Sequence, residues 1–366
     1  MKTPIYVTKP FLPPREEYNA FLDKIWDSGI LTNMGKLHQT LEKELAEYLK
    51  VPSFMLFANG HLSLELIIEA LGLTGEVITT PYTFVSTTNA IARNDLTPVF
   101  CDVKEDNFTM DPNKIEALIT DKTSAIIPVH VYGHPCDVYE IHKIAKKHNL
   151  KVIYDGAHSF GTKLDDIPLS NFGDSTMYSF HGTKLFHTIE GGGVVVKDYD
   201  LKNRLHQLKN FGIAGEESIQ MIGMNAKLSE FHAAMGLANL KYIDSTIEKR
   251  RLLTERYEKN FSNVQGIRMA VRQPNETYNY AYLPVIFTEE FAWDRDIIYD
   301  RLKNNNVFAR KYFYPLPNET KCYTEKYKVS PTPIAERISK QVLCLPIFDE
   351  LTFDEVDYIC DLIISK

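Results

Sequence analysis

Between two short apolar runs, residues 177–180 and 194–196, lies a polar turn with one lysine, two histidines and three successive glycines: Tyr178-Ser-Phe-His-Gly-Thr-Lys184-Leu-Phe-His-Thr-Ile-Glu-Gly-Gly-Gly-Val-Val-Val196. β-Branched and aromatic residues favour a pleated, buried surface, so both runs read as strands. A lysine held between buried strands loses hydration, which lowers its pKa. The neutral amine attacks carbonyl carbon, which makes Lys184 a candidate Schiff-base nucleophile. Gly191, Gly192 and Gly193 let backbone approach a bound group without side-chain clash. About thirty positions upstream, Asp155 closes an apolar strand and is followed by Gly-Ala-His158. A carboxylate at a buried strand end is costly unless it meets a cation or a hydrogen-bond donor. Taken singly, the lysine fits a solvent-facing turn and the acid fits a helix cap or a structural ion pair. Taken together they match pyridoxal 5'-phosphate, which needs an amine for its aldehyde, a carboxylate for its pyridinium nitrogen and N–H groups for its phosphate.

The surrounding pattern is one that places such groups together. Residues 53–58 read as a short buried strand ending at Asn59-Gly60-His61, and Leu62, Leu66, Ile67 and Ala70 continue as a helix. A strand, a glycine turn and a helix leave free N–H groups at the helix N-terminus, a ready anion site. Strands follow at 77–80, 98–102, 125–130 and 151–155, with helices at 83–94, after Asp111-Pro112, and at 138–148. This alternation argues for an α/β architecture, a mainly parallel sheet with helices on both faces. Ligands in such sheets bind at the carboxyl ends of the strands, where Asn59-Gly60, residues 82–84, Asp155 and the Lys184 turn all fall. Upstream, Leu37, Leu41, Leu45, Tyr48 and Leu49 mark an apolar helical face after Gly35. Residues 228–257 read as one long helix leading into a smaller α+β unit with strands at 280–287, 307–314 and 342–347 and helices from Asp294 and Phe353. The expected division is an N-terminal arm at 1–15, kept from helix and pairing by Pro4, Pro10, Pro13 and Pro14, a large domain at 16–249 and a small C-terminal domain at 250–366.

The chain as a whole excludes several classes of function. Its 366 residues exceed one ordinary domain, and a formal charge of -7 argues against nucleic-acid or membrane-surface partners. The one basic cluster, Lys249-Arg250-Arg251, is followed by Glu255 and Glu258 at helical spacing and reads as a solvated or interfacial face. No apolar run nears the roughly 18 residues a membrane span needs. Met-Lys-Thr-Pro-Ile lacks a signal-peptide core, and five scattered cysteines without CxxC suggest reduced thiols; a cytoplasmic protein is expected. His130 and His134 are a poor metal pair, since they fall across a strand end with no carboxylate companion, so no metal is expected.

In combination, Ser179-Phe-His-Gly-Thr-Lys184 with Glu190-Gly-Gly, Asp155-Gly-Ala-His158, Gly223-Met-Asn225-Ala-Lys-Leu-Ser-Glu230, Leu31-Thr-Asn-Met-Gly35 and Pro128-Val-His-Val-Tyr-Gly133 resemble the DegT/StrS-type sugar-nucleotide aminotransferases. The resemblance runs nearly the full length. It implies the fold-type I aminotransferase architecture, a mainly parallel seven-stranded sheet flanked by helices with a smaller C-terminal α+β domain. It implies pyridoxal 5'-phosphate, with pyridoxamine 5'-phosphate as the aminated form, L-glutamate as donor and a homodimer with active sites at the subunit interface. By the same resemblance Lys184 binds the cofactor aldehyde, Asp155 partners the ring nitrogen and His158 lies near the ring hydroxyl. Gly60, His61 and Ser179 match phosphate positions, with His61 contributing through backbone N–H, and Phe84 matches the aromatic stacked on the ring. Without the family, Phe84 reads as core packing and Asn225 as a helix N-cap; with it, Asn225 reaches the phosphate of a second copy. His181, Arg310, Tyr312 and Tyr314 are candidate substrate contacts, with edge-strand packing the alternative for the last three. The segment Thr8-Lys-Pro-Phe-Leu-Pro-Pro14 and residues 180–192 look closest to transaminases that make dTDP-4-amino-4,6-dideoxyglucose from a dTDP-4-keto-6-deoxyhexose, for O-antigen or other surface glycans. The alternatives are amination at C3 of the 3-keto sugar and a non-catalytic, cofactor-binding regulator.

Overall fold

The computed structural model describes residues 3–365; Met1, Lys2 and Lys366, the ends of the expected arm and small domain, lie outside the described residues. Among the described residues, seven strands form the central sheet: β1 Ser53–Phe57, β2 Glu76–Thr79, β3 Thr97–Phe100, β4 Thr123–Ile127, β5 Lys151–Asp155, β6 Ser175–Ser179 and β7 Gly192–Val196. Their spatial order is β1-β7-β6-β5-β4-β2-β3. The neighbours β6-β5-β4-β2-β3 pair in parallel, while β7 runs antiparallel to both β1 and β6. The expected α/β sheet is therefore present.

Side chains that alternate along the strands separate into two cores. Val77, Ala125, Ile153 and Met177 face one side and pack with Ile67 and Ile68 of α3 (Gly60–Ala70), Ala90 and Ile91 of α4 (Val85–Arg93) and Leu205 of α6 (Tyr199–Leu208). Ile78, Ile126, Val152 and Tyr154 face the other side, against Val138, Ile141 and Ala145 of α5 (Val138–His148). On that side Phe54, Leu56, Tyr178 and Val195 meet α1 (Arg15–Ser28), α2 (Lys36–Tyr48) and α7 (Glu230–Leu240). Both faces are covered, which is why the inner strands read as continuous apolar runs.

The C-terminal part forms a three-stranded antiparallel sheet of Ile267–Met269, Pro284–Phe287 and Val342–Cys344. Its core takes in Leu253, Tyr257 and Phe261 from α8 (Ile243–Phe261). Among the described residues no helix is long and apolar enough to cross a membrane.

Four readings from the sequence are corrected by long-range contacts. The single helix at 228–257 is two, α7 and α8, broken at Lys241-Tyr242; α7 and the start of α8 (Ile243) share one core, and Leu253, Tyr257 and Phe261 enter the C-terminal one. After Asp111 the chain makes two 3-10 turns, Pro112–Lys114 and Glu116–Leu118, although Asp111 does accept from the Asn113 N–H. The arm does pair: Ile5–Tyr6 lies parallel to Val307–Phe308, using residues between its prolines. Of the basic cluster, Arg250 is 1 % exposed, with Nε donating to Asp349 Oδ1 at 3.2 Å while Thr246 Oγ1 donates to Oδ2 at 2.7 Å. An Asp349→Ala variant would leave that guanidinium buried and unpaired. It is expected to lose roughly 3–5 kcal/mol of stability, read as an earlier midpoint in urea unfolding.

Candidate active site

The lysine turn is a folded loop. Phe180 N–H donates to Gly191 O at 2.8 Å and Thr188 N–H to Phe180 O at 2.9 Å, closing its base, while Lys184 N–H donates to His181 O at 2.8 Å. Phe180 and Phe186 meet edge-on at 4.8 Å in the core and anchor the loop. The Lys184 side chain reaches inward, where Nζ donates to Tyr282 Oη at 3.1 Å. Loss of hydration brings the amine down to about 8, against the opposing pull of Asp155 and Tyr312.

Asp155 ends β5 next to β6, in register with Met177, and is 4 % exposed. Its Oδ2 accepts from Thr87 Oγ1 at 2.7 Å and its Oδ1 from the Ala157 N–H at 3.0 Å. Burial pushes the carboxyl up, and the two donors together with the lysine charge work in the opposite direction. The group therefore favours a cationic neighbour.

His158 follows three residues on. Tyr132 N–H donates to its Nδ1 at 3.0 Å, which makes Nδ1 the acceptor and leaves Nε2 to carry the proton. Burial first, then the Lys184 charge, hold the imidazole well below its ordinary value. Tyr282 packs on it at 4.5 Å between centroids and Phe313 stacks at 5.8 Å. Asn279 Nδ2 ties the loop by donating to His158 O at 2.7 Å and Phe160 O at 2.9 Å.

The helix α3 begins beside these groups. Asn59 caps it, with Oδ1 accepting from the Leu62 N–H at 2.9 Å, and the N–H groups of Gly60 and His61 have no intrahelical acceptor by geometry. A Cβ on Gly60 would stand 2.8 Å from Ser179 Cβ, and one on Gly192 would stand 2.4 Å from Gly60 N. Only glycine permits this approach of helix start to sheet, which makes the junction a candidate cradle for an anion. The His61 side chain is turned away, with Nδ1 3.0 Å from Ser86 Oγ and Nε2 3.5 Å from Glu65. That leaves its backbone N–H for the cradle.

The remaining candidates sit further out. Phe84 is 59 % exposed at the start of α4, so the core-packing alternative is wrong for it. It borders a cavity of about 400 Å³ that Arg310, Tyr312 and Tyr314 also line. The expected strand at 307–314 stops at Phe308, although Arg310 still pairs at the sheet edge, its N–H donating to Cys344 O at 3.1 Å; all three residues line the cavity wall. The Arg310 guanidinium lies 5.3 Å from the Tyr312 ring centroid. His181 is exposed and occupied by Thr183 Oγ1 at 2.8 Å and Glu190 at 3.5 Å. Asn225 is exposed and bridges to Asn210; the N-cap of α7 is Ser229, which corrects the capping alternative. The pair His130 and His134 is engaged elsewhere: His130 Nδ1 accepts from the Cys136 N–H at 3.0 Å, and His134 Nδ1 is 2.9 Å from Glu276 Oε1. His134 thus has the carboxylate companion the sequence did not reveal, yet no metal-holding group of three such side chains occurs among the described residues.

Thr87, Tyr132, Asn279 and Tyr282 escaped the sequence reading. Thr87 lies in the Thr83-Phe84-Val-Ser86 neighbourhood and could have been found there; Tyr282, 98 positions from the lysine it meets, carries no local signal.

An amine, a buried acid, a histidine and a helix N-terminus gathered at neighbouring strand ends fit pyridoxal phosphate: Lys184 could hold its aldehyde, Asp155 its ring nitrogen, and Gly60, His61 and Ser179 its phosphate. The fold and this arrangement define an aminotransferase. The chain belongs to the DegT/DnrJ/EryC1/StrS aminotransferase family, whose sequence model matches residues 14–364. A dTDP-4-amino-4,6-dideoxy-D-glucose transaminase of Shigella dysenteriae is 42% identical over 359 residues, 98% of each chain. Its Escherichia coli counterpart is 42% identical over 367 residues, 99% of this chain and 98% of the other. Among solved structures, DesI in the presence of its TDP-sugar product superposes with a TM-score of 0.94 at 34% identity, covering 99% of this chain and 92% of that one.

The lowered amine value sets a pH dependence, since only neutral Lys184 attacks a carbonyl. Combination of the cofactor-free chain with pyridoxal phosphate should quicken as pH rises through about 8 and level off above it. At pH 7 the rate should be about one tenth of the plateau, followed as growth of the visible imine band.

Proposed function

We propose that the protein is a pyridoxal-phosphate-dependent aminotransferase that moves the amino group of L-glutamate to C4 of a dTDP-linked 4-keto-6-deoxyhexose, giving a dTDP-4-amino-4,6-dideoxyhexose for O-antigen or related surface glycans. The observation that carries this reading is the half-buried Lys184 amine in the turn after one strand, with the buried Asp155 at the end of the adjoining strand. Full-length similarity to two dTDP-4-amino-4,6-dideoxy-D-glucose transaminases supports the substrate.

When bound, the cofactor supplies an electrophilic carbonyl and a ring that takes up the electron pair left as an α-proton departs. Asp155, anionic once a cation adjoins it, holds the ring-nitrogen proton. Lys184, with its value lowered to about 8, takes the proton from the donor carbon and returns it, as suits a general base near neutrality. His158, held neutral, would stand by the ring hydroxyl, and Phe84 would cover the ring. Gly60, His61 and Ser179 would hold the phosphate, joined by Asn225 from a second copy in a homodimer. The cavity of about 400 Å³ suits the nucleotide sugar, since Tyr312 and Tyr314 offer ring faces and Arg310 a planar cation for diphosphate oxygens. Residues 16–249 serve as the cofactor-binding domain and 250–366 as the small domain beside it.

Purified protein should show a visible band that L-glutamate bleaches. It should convert the 4-keto sugar nucleotide, with NMR placing the new amine at C4. Amination of the 3-keto sugar instead would assign the 3-aminotransferase reaction, and bleaching without any amino sugar would leave a cofactor-binding regulator. Lys184→Ala should fold yet fail to turn over. Asp155→Asn should lose at least about 100-fold in kcat, the scale of a removed electrostatic contact at a reacting centre.

A further inference from the structure

We propose that Tyr282 is the positioning residue for Lys184: its phenolic oxygen holds the lysine amine whenever that amine is free and so fixes where it stands as it moves a proton. This rests on the reading of Lys184 as the reacting amine. A lysine ends four flexible carbons from its backbone, and nothing in that stem aims the nitrogen. Tyr282 Oη lies 3.1 Å from Nζ, and the tyrosine ring is itself immobilised. It packs on His158 at 4.5 Å, on Tyr132 at 6.0 Å and edge-on against Tyr312 at 6.2 Å. Its backbone is held too, because the Tyr278 hydroxyl is 3.1 Å from Tyr282 O and 3.0 Å from Tyr132 O. Two residues beyond, Pro284–Phe287 runs as the middle strand of the C-terminal sheet. The contact therefore lets the C-terminal part of the chain set the position of a group carried by the large sheet.

Burial keeps the Tyr282 phenol protonated across the neutral range. Its oxygen accepts an N–H from the ammonium, and after the nitrogen loses its proton the phenolic O–H turns and donates to the lone pair. The contact survives both states and is stronger with the charged one. Tyr282 loses no proton itself; the one Lys184 takes from a donor carbon is the one it returns. Facing the amine are Asp155 and Tyr312, which favour the ammonium, and His158, whose own protonation the Lys184 charge opposes. Facing the phenol are Arg250 from α8, paired with Asp349, and Cys344 from the C-terminal sheet.

The test is Tyr282→Phe in the full chain, any bound cofactor first removed with hydroxylamine and dialysis until no visible band remains, with Lys184 reactivity measured against pH by trace acetic anhydride labelling and peptide mass spectrometry. The Lys184 midpoint should fall by roughly one unit, the scale of a hydrogen bond to a charged group. Lys209, paired with Glu42 at 3.3 Å in another part of the core, should keep its profile. With cofactor and L-glutamate, kcat of the variant should drop about 10-fold with KM little changed. A Lys184 profile that superimposes on the wild type overturns the proposal. A second measurement needs no tyrosine variant: in wild-type protein labelled with 13C-tyrosine, the Tyr282 Cζ resonance should titrate with the Lys184 midpoint and cease to do so in Lys184→Ala. A resonance indifferent to that midpoint overturns the proposal equally. Full turnover by Lys184→Ala would instead strike the reading of the lysine, an outcome distinct from either.

Discussion

A half-buried amine in the turn after one strand and a buried carboxyl group at the end of its parallel neighbour set the terms for the rest of this structure. Burial acts on the two in opposite senses, lowering the lysine and raising the acid, so that each is pushed toward its neutral form. A fold keeps such groups inside only by giving them partners. Here Thr87 and the Ala157 N–H support the acid and Tyr282 supports the amine. Neither support is an opposite charge in direct contact. The site is thereby left suited to a ligand that brings a cationic ring nitrogen to one group and a carbonyl to the other.

That arrangement explains why the reversal of β7 matters. The antiparallel strand lies between β1 and β6, and Gly192 stands opposite Phe57 on one side and Ser179 on the other. It draws the start of α3 against the end of β6, so close that a methyl group at Gly60 or Gly192 would collide with backbone or with Ser179. The helix dipole and the unpaired N–H groups are brought within a few ångströms of the lysine turn. Removing the side chain from these two positions is what makes an anion cradle out of an ordinary strand-to-helix junction.

The C-terminal part contributes more than a cover. Tyr278, Asn279 and Tyr282 reach into the large sheet's loops, hold the carbonyls of Tyr132, His158 and Phe160, and meet the Lys184 amine. The segment bearing Arg310, Tyr312 and Tyr314 walls the larger cavity, and the Tyr132 hydroxyl donates to the Tyr312 carbonyl. The N-terminal arm runs alongside: Phe11 O lies 2.7 Å from Nε2 of His187, three residues beyond the lysine, while Ile5 pairs with Val307. Groups more than a hundred positions apart in the chain thus share one small volume.

The order of strands and helices, the lysine, the acid after its apolar strand and the glycines were legible in the sequence, because they obey local rules. A strand alternates every second residue and a helix every 3.6, and those periods are written within about a dozen positions. β5 was readable to its last residue, Asp155, and α5 to both of its ends. What the tertiary structure alone decided were depths and partners. Arg250 reads as a surface cation until Asp349 is folded against it, and Phe84 reads as core until the space above it is left open. The chain across 228–257 breaks into two helices and passes from one core into the other along the second, and Tyr282 meets Lys184 only when the C-terminal sheet carries it there. Burial and pairing between distant segments depend on where the whole chain packs, and no short window of residues contains that information.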